Sequence, residues 1–301
     1  MHTPLLGLIA ATHTPFDASG NLQLTTVEDQ CHKLLRDGIK TVFIGGTTGE
    51  CTSLTIEERL ALADRWFEVA KKQPMDIVVH VGSNCIDDSC RLASHAQSRG
   101  ARAVAAFAPS YFKPPHCEAL VQCMQRIAAV CDTTAFYYYD IPSWTGVSIS
   151  MPDFLKMAHT RIPNLAGLKF TNHDLVAYQL CRQVEHGKFD ILFGMDEISM
   201  AALAYGCTGA VGSTYNFAGG IFHRLWDAWQ QQDLETTRRE QLRSIRLVQI
   251  LASRGYMASA KHLMKMRGVD VGPPRLPVPP LSVAQQESLE SDLATEFADL
   301  L

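Results

Sequence analysis

Disulfide spacing is missing from this chain. No C-x-x-C pair occurs among its nine cysteines, and nine is an odd number. In 301 residues that pattern reads as free thiols in a reducing compartment. The eleven histidines show no ligand spacing such as H-E-x-x-H, so no metal site is expected. Basic residues are not in excess. Lys and Arg number 27 against 31 Asp and Glu, a net charge of -4, which argues against the basic patch that nucleic-acid binding needs. Long apolar runs are absent too. The longest near the N-terminus, Pro4 to Thr12, lacks a basic leader and is too short to span a bilayer. These absences predict a cytoplasmic, enzyme-sized protein with neither nucleic acid nor membrane as partner.

What is present is an alternation. Short apolar runs at 5–12, 41–46, 76–82, 102–109, 134–140, 164–171, 190–195 and 208–213 read as strands. Between them, helical spacing appears near 25–37, 55–72, 86–99, 115–131, 151–159, 174–186 and 197–206. Thr55 with Glu58 ahead of an apolar-periodic run is a capping-box signal, and Asp87 is a second plausible helix start. Continuous apolar strands suit a parallel sheet covered on both faces. Eight strands alternating with helices predict an α/β fold of the (β/α)8 type, a TIM barrel. After 219 the strand signals stop. Residues 219–268 read as two or three amphipathic helices, followed by the proline-rich stretch 272–280 and a last helix candidate at 282–300. The expected organisation is a catalytic barrel over 1–218 with C-terminal helices over 219–301 packed on it.

In such barrels, active sites form at the C-terminal ends of the strands. Six of the runs end in polar groups there. They are Gly46-Thr47-Thr48-Gly49-Glu50, Pro109-Ser110-Tyr111, Tyr139-Asp140, Lys169 with Thr171, Gly194-Met195-Asp196-Glu197, and Gly212-Ser213-Thr214. Lys169 has the sharpest chemistry. A desolvated lysine loses its proton near neutral pH, attacks a carbonyl and forms an imine, which serves as an electron sink for breaking or making a carbon–carbon bond. The competing reading is a lysine that snorkels to solvent or pairs with a carboxylate. Of Tyr137, Tyr138 and Tyr139, the last is best placed to reach the rim and shuttle a proton, while Tyr138 fits a wall aromatic. The loop at 46–49 matches neither glycine-rich phosphate motif. Its N–H groups and two hydroxyls suit a carboxylate, or it is simply a tight strand-to-helix turn. Asp196-Glu197 is open between acid–base work, metal ligation, hydroxyl binding and a helix N-cap. His80 reads as a satisfied interior histidine, and Met257, Met264 and Met266 as helix packing.

Together G-G-T-T-G-E (45–50), Y-Y-D-I-P (138–142) and G-L-K-F-T (167–171) resemble the dihydrodipicolinate synthase/N-acetylneuraminate lyase superfamily, over about residues 5 to 277. L-F-G-M-D-E (192–197), G-A-V-G-S-T-Y-N (209–216) and G-P-P-R-L-P (272–277) are similar to its N-acetylneuraminate lyase branch. The dihydrodipicolinate synthase branch usually carries an arginine where Trp144 stands here, which points away from a dicarboxylic partner.

The resemblance implies a class I aldolase on a (β/α)8 barrel that splits N-acetylneuraminate reversibly into N-acetyl-D-mannosamine and pyruvate. It implies Lys169 as the imine-forming residue and Tyr139 as the proton carrier. Thr47 and Thr48 hold the substrate carboxylate, with Thr47 linking Tyr139 into a relay. Tyr111 reaches a neighbouring subunit's site, and Thr171, Gly194, Asp196, Glu197 and Ser213 hold the sugar tail. It implies no metal or organic cofactor and a homotetramer. The rival expectations are another aldolase of the superfamily acting on a 2-keto-3-deoxy sugar acid, a dihydrodipicolinate synthase-like condensation, a metal-dependent aldolase, and a non-catalytic ligand-binding barrel.

Overall fold

The computed structural model describes residues 3–301. Eight strands close into a barrel in chain order: β1 Gly7–Ala11, β2 Thr41–Ile44, β3 Asp76–His80, β4 Ala103–Ala106, β5 Ala135–Asp140, β6 Leu165–Phe170, β7 Asp190–Phe193 and β8 Gly209–Gly212. Neighbours are parallel, and β8 closes on β1 with Gly7 opposite Gly209 and Ala10 opposite Gly212. Each strand lies inside one of the apolar runs. The runs overshoot the strands because the chain stays buried where it leaves the sheet, as at Phe107 and Ala108.

Helices α1 Thr26–Arg36, α2 Ile56–Ala70, α3 Ile86–Ser98, α4 Cys117–Ala128, α5 Pro142–Thr145, α6 Met151–Ala158, α7 Leu175–Cys181, α8 Ser199–Ala204 and α9 Tyr215–Gln230 surround the barrel. The capping box is present at α2: Thr55 Oγ1 accepts from the Glu58 N–H at 3.2 Å, and Glu58 Oε2 accepts from the Thr55 N–H at 2.9 Å. Helix α3 begins at Ile86, so Asp87 and Asp88 sit in its first turn, where their charge suits the positive end of the helix. The single turn α5, opened by Pro142 and closed by Gly146 at φ 64°, lies outside the periodic pattern.

Alternate strand residues face alternate layers. Ile9, Ala11, Phe43, Val78, Ala105, Tyr137, Tyr139, Leu192 and Val211 fill the barrel interior. Ala10, Val42, Val79, Val104, Tyr138, Leu168, Phe170 and Phe193 pack outward against the helices. Tyr138 meets Phe154 of α6 at 4.9 Å between ring centroids, which makes it the wall aromatic that its position suggested. Burying a side chain of this size is worth about 1.5–3 kcal/mol.

The boundary expected between 218 and 219 falls inside α9, the barrel's eighth helix. Ala218, at φ -130° and ψ 27°, breaks the helix there without ending it. Beyond it come α10 Leu234–Ala252, α11 Tyr256–Met266 and α12 Val283–Glu296. Helix α10 lies along α9, and α12 covers α10 and α11. Met264 is buried in this packing. The proline-rich connector is pinned to the barrel by Arg275, whose guanidinium reaches Glu58, the Ser53 carbonyl and the Gly20 carbonyl.

Candidate active site

Lys169 sits on the inward face of β6, opposite Tyr139 of β5 in the strand register. Its residue is 4% exposed. The amine lies 3.9 Å from the centre of the Tyr139 ring and 4.2 Å from that of Phe43. An ammonium attracts such ring faces, but two rings do not replace a hydration shell. Burial therefore holds the Lys169 pKa down to about 7, against the opposing pull of Asp196 and Cys51. A large fraction of the amine is neutral at physiological pH, which is the form that attacks a carbonyl.

The Tyr139 hydroxyl is 3.3 Å from Thr47 Oγ1. Burial raises its pKa, so the phenol keeps its proton and is available to pass it on. Three rings fix its position: Phe43 at 5.7 Å, His80 at 5.6 Å and Phe107 at 6.3 Å between centroids. His80 Nδ1 donates to the Gly45 carbonyl at 2.8 Å, while its Nε2 is buried without a hydrogen-bond partner. The interior histidine is thus half satisfied. Burial pushes its pKa well below the usual imidazole range and keeps the ring neutral. Through Gly45 it touches the loop that carries Thr47 and Thr48, both half-buried.

Across the rim, β7 and β8 deliver a second set of polar groups. Thr214 Oγ1 donates to Asp196 Oδ2 at 2.5 Å, and Asp196 Oδ1 is buried with no partner. Burial, reinforced by Glu197, raises the Asp196 pKa to about 6. Asp196 opens a short turn whose preceding cap position belongs to Met195, so it is not a helix N-cap. Its carbonyl accepts from Gln241 and Ser244 of α10, each at 3.1 Å. Thr171 Oγ1 is also buried without a partner. Gly194 is there for space: a Cβ would stand 2.0 Å from Thr171 Oγ1. Gly212 does the same for Asp196, whose Oδ1 would lie 2.4 Å from a Cβ. Ser213 Oγ is 2.6 Å from the hydroxyl of Tyr256, which enters from α11.

Within one chain, the fold thus brings Lys169, Tyr139, Thr47, Thr48, Thr171, Gly194, Asp196, Glu197 and Ser213 to one end of the barrel. Tyr111 stands apart. It is 80% exposed, stacked edge-on against Phe112 at 5.1 Å, with its N–H on Asn84 Oδ1. Trp144 is 75% exposed on α5. The sequence pattern gave no pointer to Phe43, Cys51 or Tyr256. Phe43 and Cys51 look like ordinary core residues, and Tyr256 lies beyond the barrel, where no strand end marks it.

The profile of the Dihydrodipicolinate synthetase family matches residues 4–296. The chain is 37% identical over 278 residues to the N-acetylneuraminate lyase of Mus musculus, covering 91% of this chain and 87% of that one. Its structure superposes on the N-acetylneuraminate lyase of Proteus mirabilis with a TM-score of 0.95, at 36% identity, covering 99% of this chain and 100% of the other. The corresponding enzyme of Aliivibrio salmonicida gives a TM-score of 0.95 at 38% identity, covering 99% and 98%.

Proposed function

The chain belongs to the dihydrodipicolinate synthetase family, and on that premise we propose that it is a class I aldolase cleaving N-acetylneuraminate reversibly to N-acetyl-D-mannosamine and pyruvate. The observation that carries this reading is the desolvated Lys169 amine packed on the Tyr139 ring in a barrel shared with N-acetylneuraminate lyases.

In the proposed reaction, neutral Lys169 adds to the ketone carbon of the open-chain sugar acid. Water leaves, and a protonated imine results. The bond between the third and fourth carbons breaks, its electron pair moving toward the imine to give an enamine. Tyr139, hydrogen-bonded to Thr47, gives its proton to the hydroxyl that leaves as water when the imine forms; as the carbon–carbon bond breaks, its phenolate takes the proton of the fourth-carbon hydroxyl, and the aldehyde of N-acetyl-D-mannosamine is released. The enamine takes a proton at carbon, and water hydrolyses the imine to pyruvate and free lysine. Thr47 and Thr48 hold the carboxylate. Thr171, Gly194, Asp196, Glu197 and Ser213 hold the hydroxylated tail, which supplies partners for the two orphaned oxygens on Thr171 and Asp196.

The imine is the electron sink, so the reaction as proposed uses no metal or organic cofactor; undiminished turnover in EDTA is the expected result. No helix among the described residues is long and apolar enough to cross a membrane. The nine cysteines are all free thiols, which supports a reducing, cytoplasmic setting. A homotetramer is part of the proposal. Tyr111, Phe112 and Trp144 are large apolar side chains left exposed in the single chain, as surfaces between copies would be.

A panel of 2-keto sugar acids with pyruvate release as readout tests the function. N-acetylneuraminate is expected to give the highest kcat/KM. Preference for an unacetylated 2-keto-3-deoxy sugar acid would replace the substrate and keep the mechanism.

A further inference from the structure

The loop after β2 ends at Glu50, whose φ of 55° is left-handed. A residue with a Cβ takes that conformation only at an energetic cost. The Glu50 side chain is buried. Its Oε1 lies 2.7 Å from Lys261 Nζ of α11, and its Oε2 accepts from the Arg275 N–H at 2.8 Å. Lys261 is buried as well. Its ammonium donates to the Thr14 carbonyl at 3.0 Å and the Pro273 carbonyl at 3.1 Å, and stands 4.3 Å from the Phe16 ring centre. Two short links then run on to the threonine loop. The Glu50 N–H donates to the Thr47 carbonyl at 3.0 Å, and Thr14 Oγ1 donates to the Gly49 carbonyl at 2.6 Å.

A buried ion pair is weak evidence for stability, because removing both ions from water costs about as much as their attraction returns. An apolar pair of the same volume would hold α11 to the barrel as well. Burial pushes the Lys261 pKa down while Glu50 pulls it back. What an apolar pair would not do is fix a strained residue in one orientation. Strain, buried charge and a helix from outside the barrel all meet at the end of the loop bearing Thr47 and Thr48.

We propose that Lys261 is a positioning residue for the carboxylate subsite, its ion pair with Glu50 holding the Thr47–Thr48 loop in register with Lys169 and Tyr139. This rests on the reading of Thr47 and Thr48 as carboxylate holders. It makes the C-terminal helices part of the catalytic unit.

The test uses the full chain and borohydride trapping of pyruvate on Lys169. It records the half-saturating pyruvate concentration, the maximal trapping rate and the unfolding temperature. Lys261→Met and Glu50→Gln are expected to raise half-saturating pyruvate about tenfold, with the maximal rate within about twofold, the scale on which small displacements of a binding group act. Lys261→Arg is expected to restore most of the affinity. Lower unfolding temperatures with unchanged half-saturation would make the pair a structural brace and overturn the proposal. Should Lys261→Met not fold, Glu50→Gln decides; should neither fold, the pair determines the fold and the proposal is overturned. Thr48→Val separates the two layers. If it raises half-saturating pyruvate while the pair variants do not, only the positioning role falls. If it too changes nothing, the carboxylate reading of the loop falls with it.

Discussion

Tyr137 and Tyr139 lie two residues apart on β5, both buried and both facing into the barrel, yet they meet different surroundings. Tyr137 donates to Asp190 Oδ2 at 2.8 Å, and the same oxygen accepts the Leu5 N–H at 2.9 Å. Phenol and carboxylate satisfy each other toward the N-terminal ends of the strands. Tyr139 meets a threonine hydroxyl at 3.3 Å, with the Lys169 amine against its ring. Around it, His80 Nε2, Thr171 Oγ1 and Asp196 Oδ1 are buried without partners. Buried polar groups are usually paired, and a ligand entering at this end of the barrel would supply partners for these three. On the proposed reading, the floor stabilises and the rim reacts.

The largest effect that sharpens this contrast is expected at Lys169. Lys169→Met removes the nucleophile and is expected to lower kcat by about 10⁴-fold or more, with no borohydride adduct. The same variant is expected to gain stability. The folded-state pKa of Lys169 is lowered from 10.5 to about 7, so the folded chain binds fewer protons than the unfolded one between these values. The cost to the wild type is full below pH 7 and fades as pH rises toward 10.5. The difference in unfolding free energy between Lys169→Met and wild type is therefore expected to be largest at pH 6 and to shrink at pH 9. A variant that retains turnover, or gains no stability at pH 6, breaks the distinction.

Next come the two tyrosines. Tyr139→Phe is expected to lower kcat by about 10²–10⁴-fold with little change in unfolding temperature. Tyr137→Phe is expected to leave kcat unchanged and destabilise by about 1–3 kcal/mol, because Asp190 loses a donor in a buried place. Reversal of this pattern in steady-state kinetics and denaturant unfolding would mean that the floor and the rim have been read the wrong way round. The smallest effect belongs to the sugar end. Asp196→Asn is expected to raise KM for N-acetylneuraminate about tenfold, equivalent to about 1.4 kcal/mol, while pyruvate trapping on Lys169 proceeds as in wild type. Equal loss of both would contradict a binding role.

Much of this arrangement is legible in the chain. The eight apolar runs locate the strands because a parallel barrel buries both faces of each one, so polar residues are few between the start of a run and the rim, His80 of β3 being an exception. The same property hides which residues face inward. Tyr137, Tyr138 and Tyr139 are alike in sequence, and only position singled out the last. The boundary at 218 rests on where strand signals stop, and that pattern does not show that the barrel's eighth helix, α9, runs on from Tyr215 to Gln230. In the fold, Gly219 lets α9 pass close to Ile39, whose Cδ1 would lie 3.1 Å from a Cβ. Tyr256 and Lys261 were illegible for another reason. Both act through contacts with loops far away in the chain, and nothing in the local pattern of α11 separates them from its other buried residues.

The most direct measurement is a titration of the Lys169 amine itself by heteronuclear NMR of lysine side chains, with Lys169→Met assigning the signal. A midpoint near pH 7 is expected for an amine enclosed by Phe43 and Tyr139. A midpoint near 10.4, the value of a solvated lysine, would contradict the account.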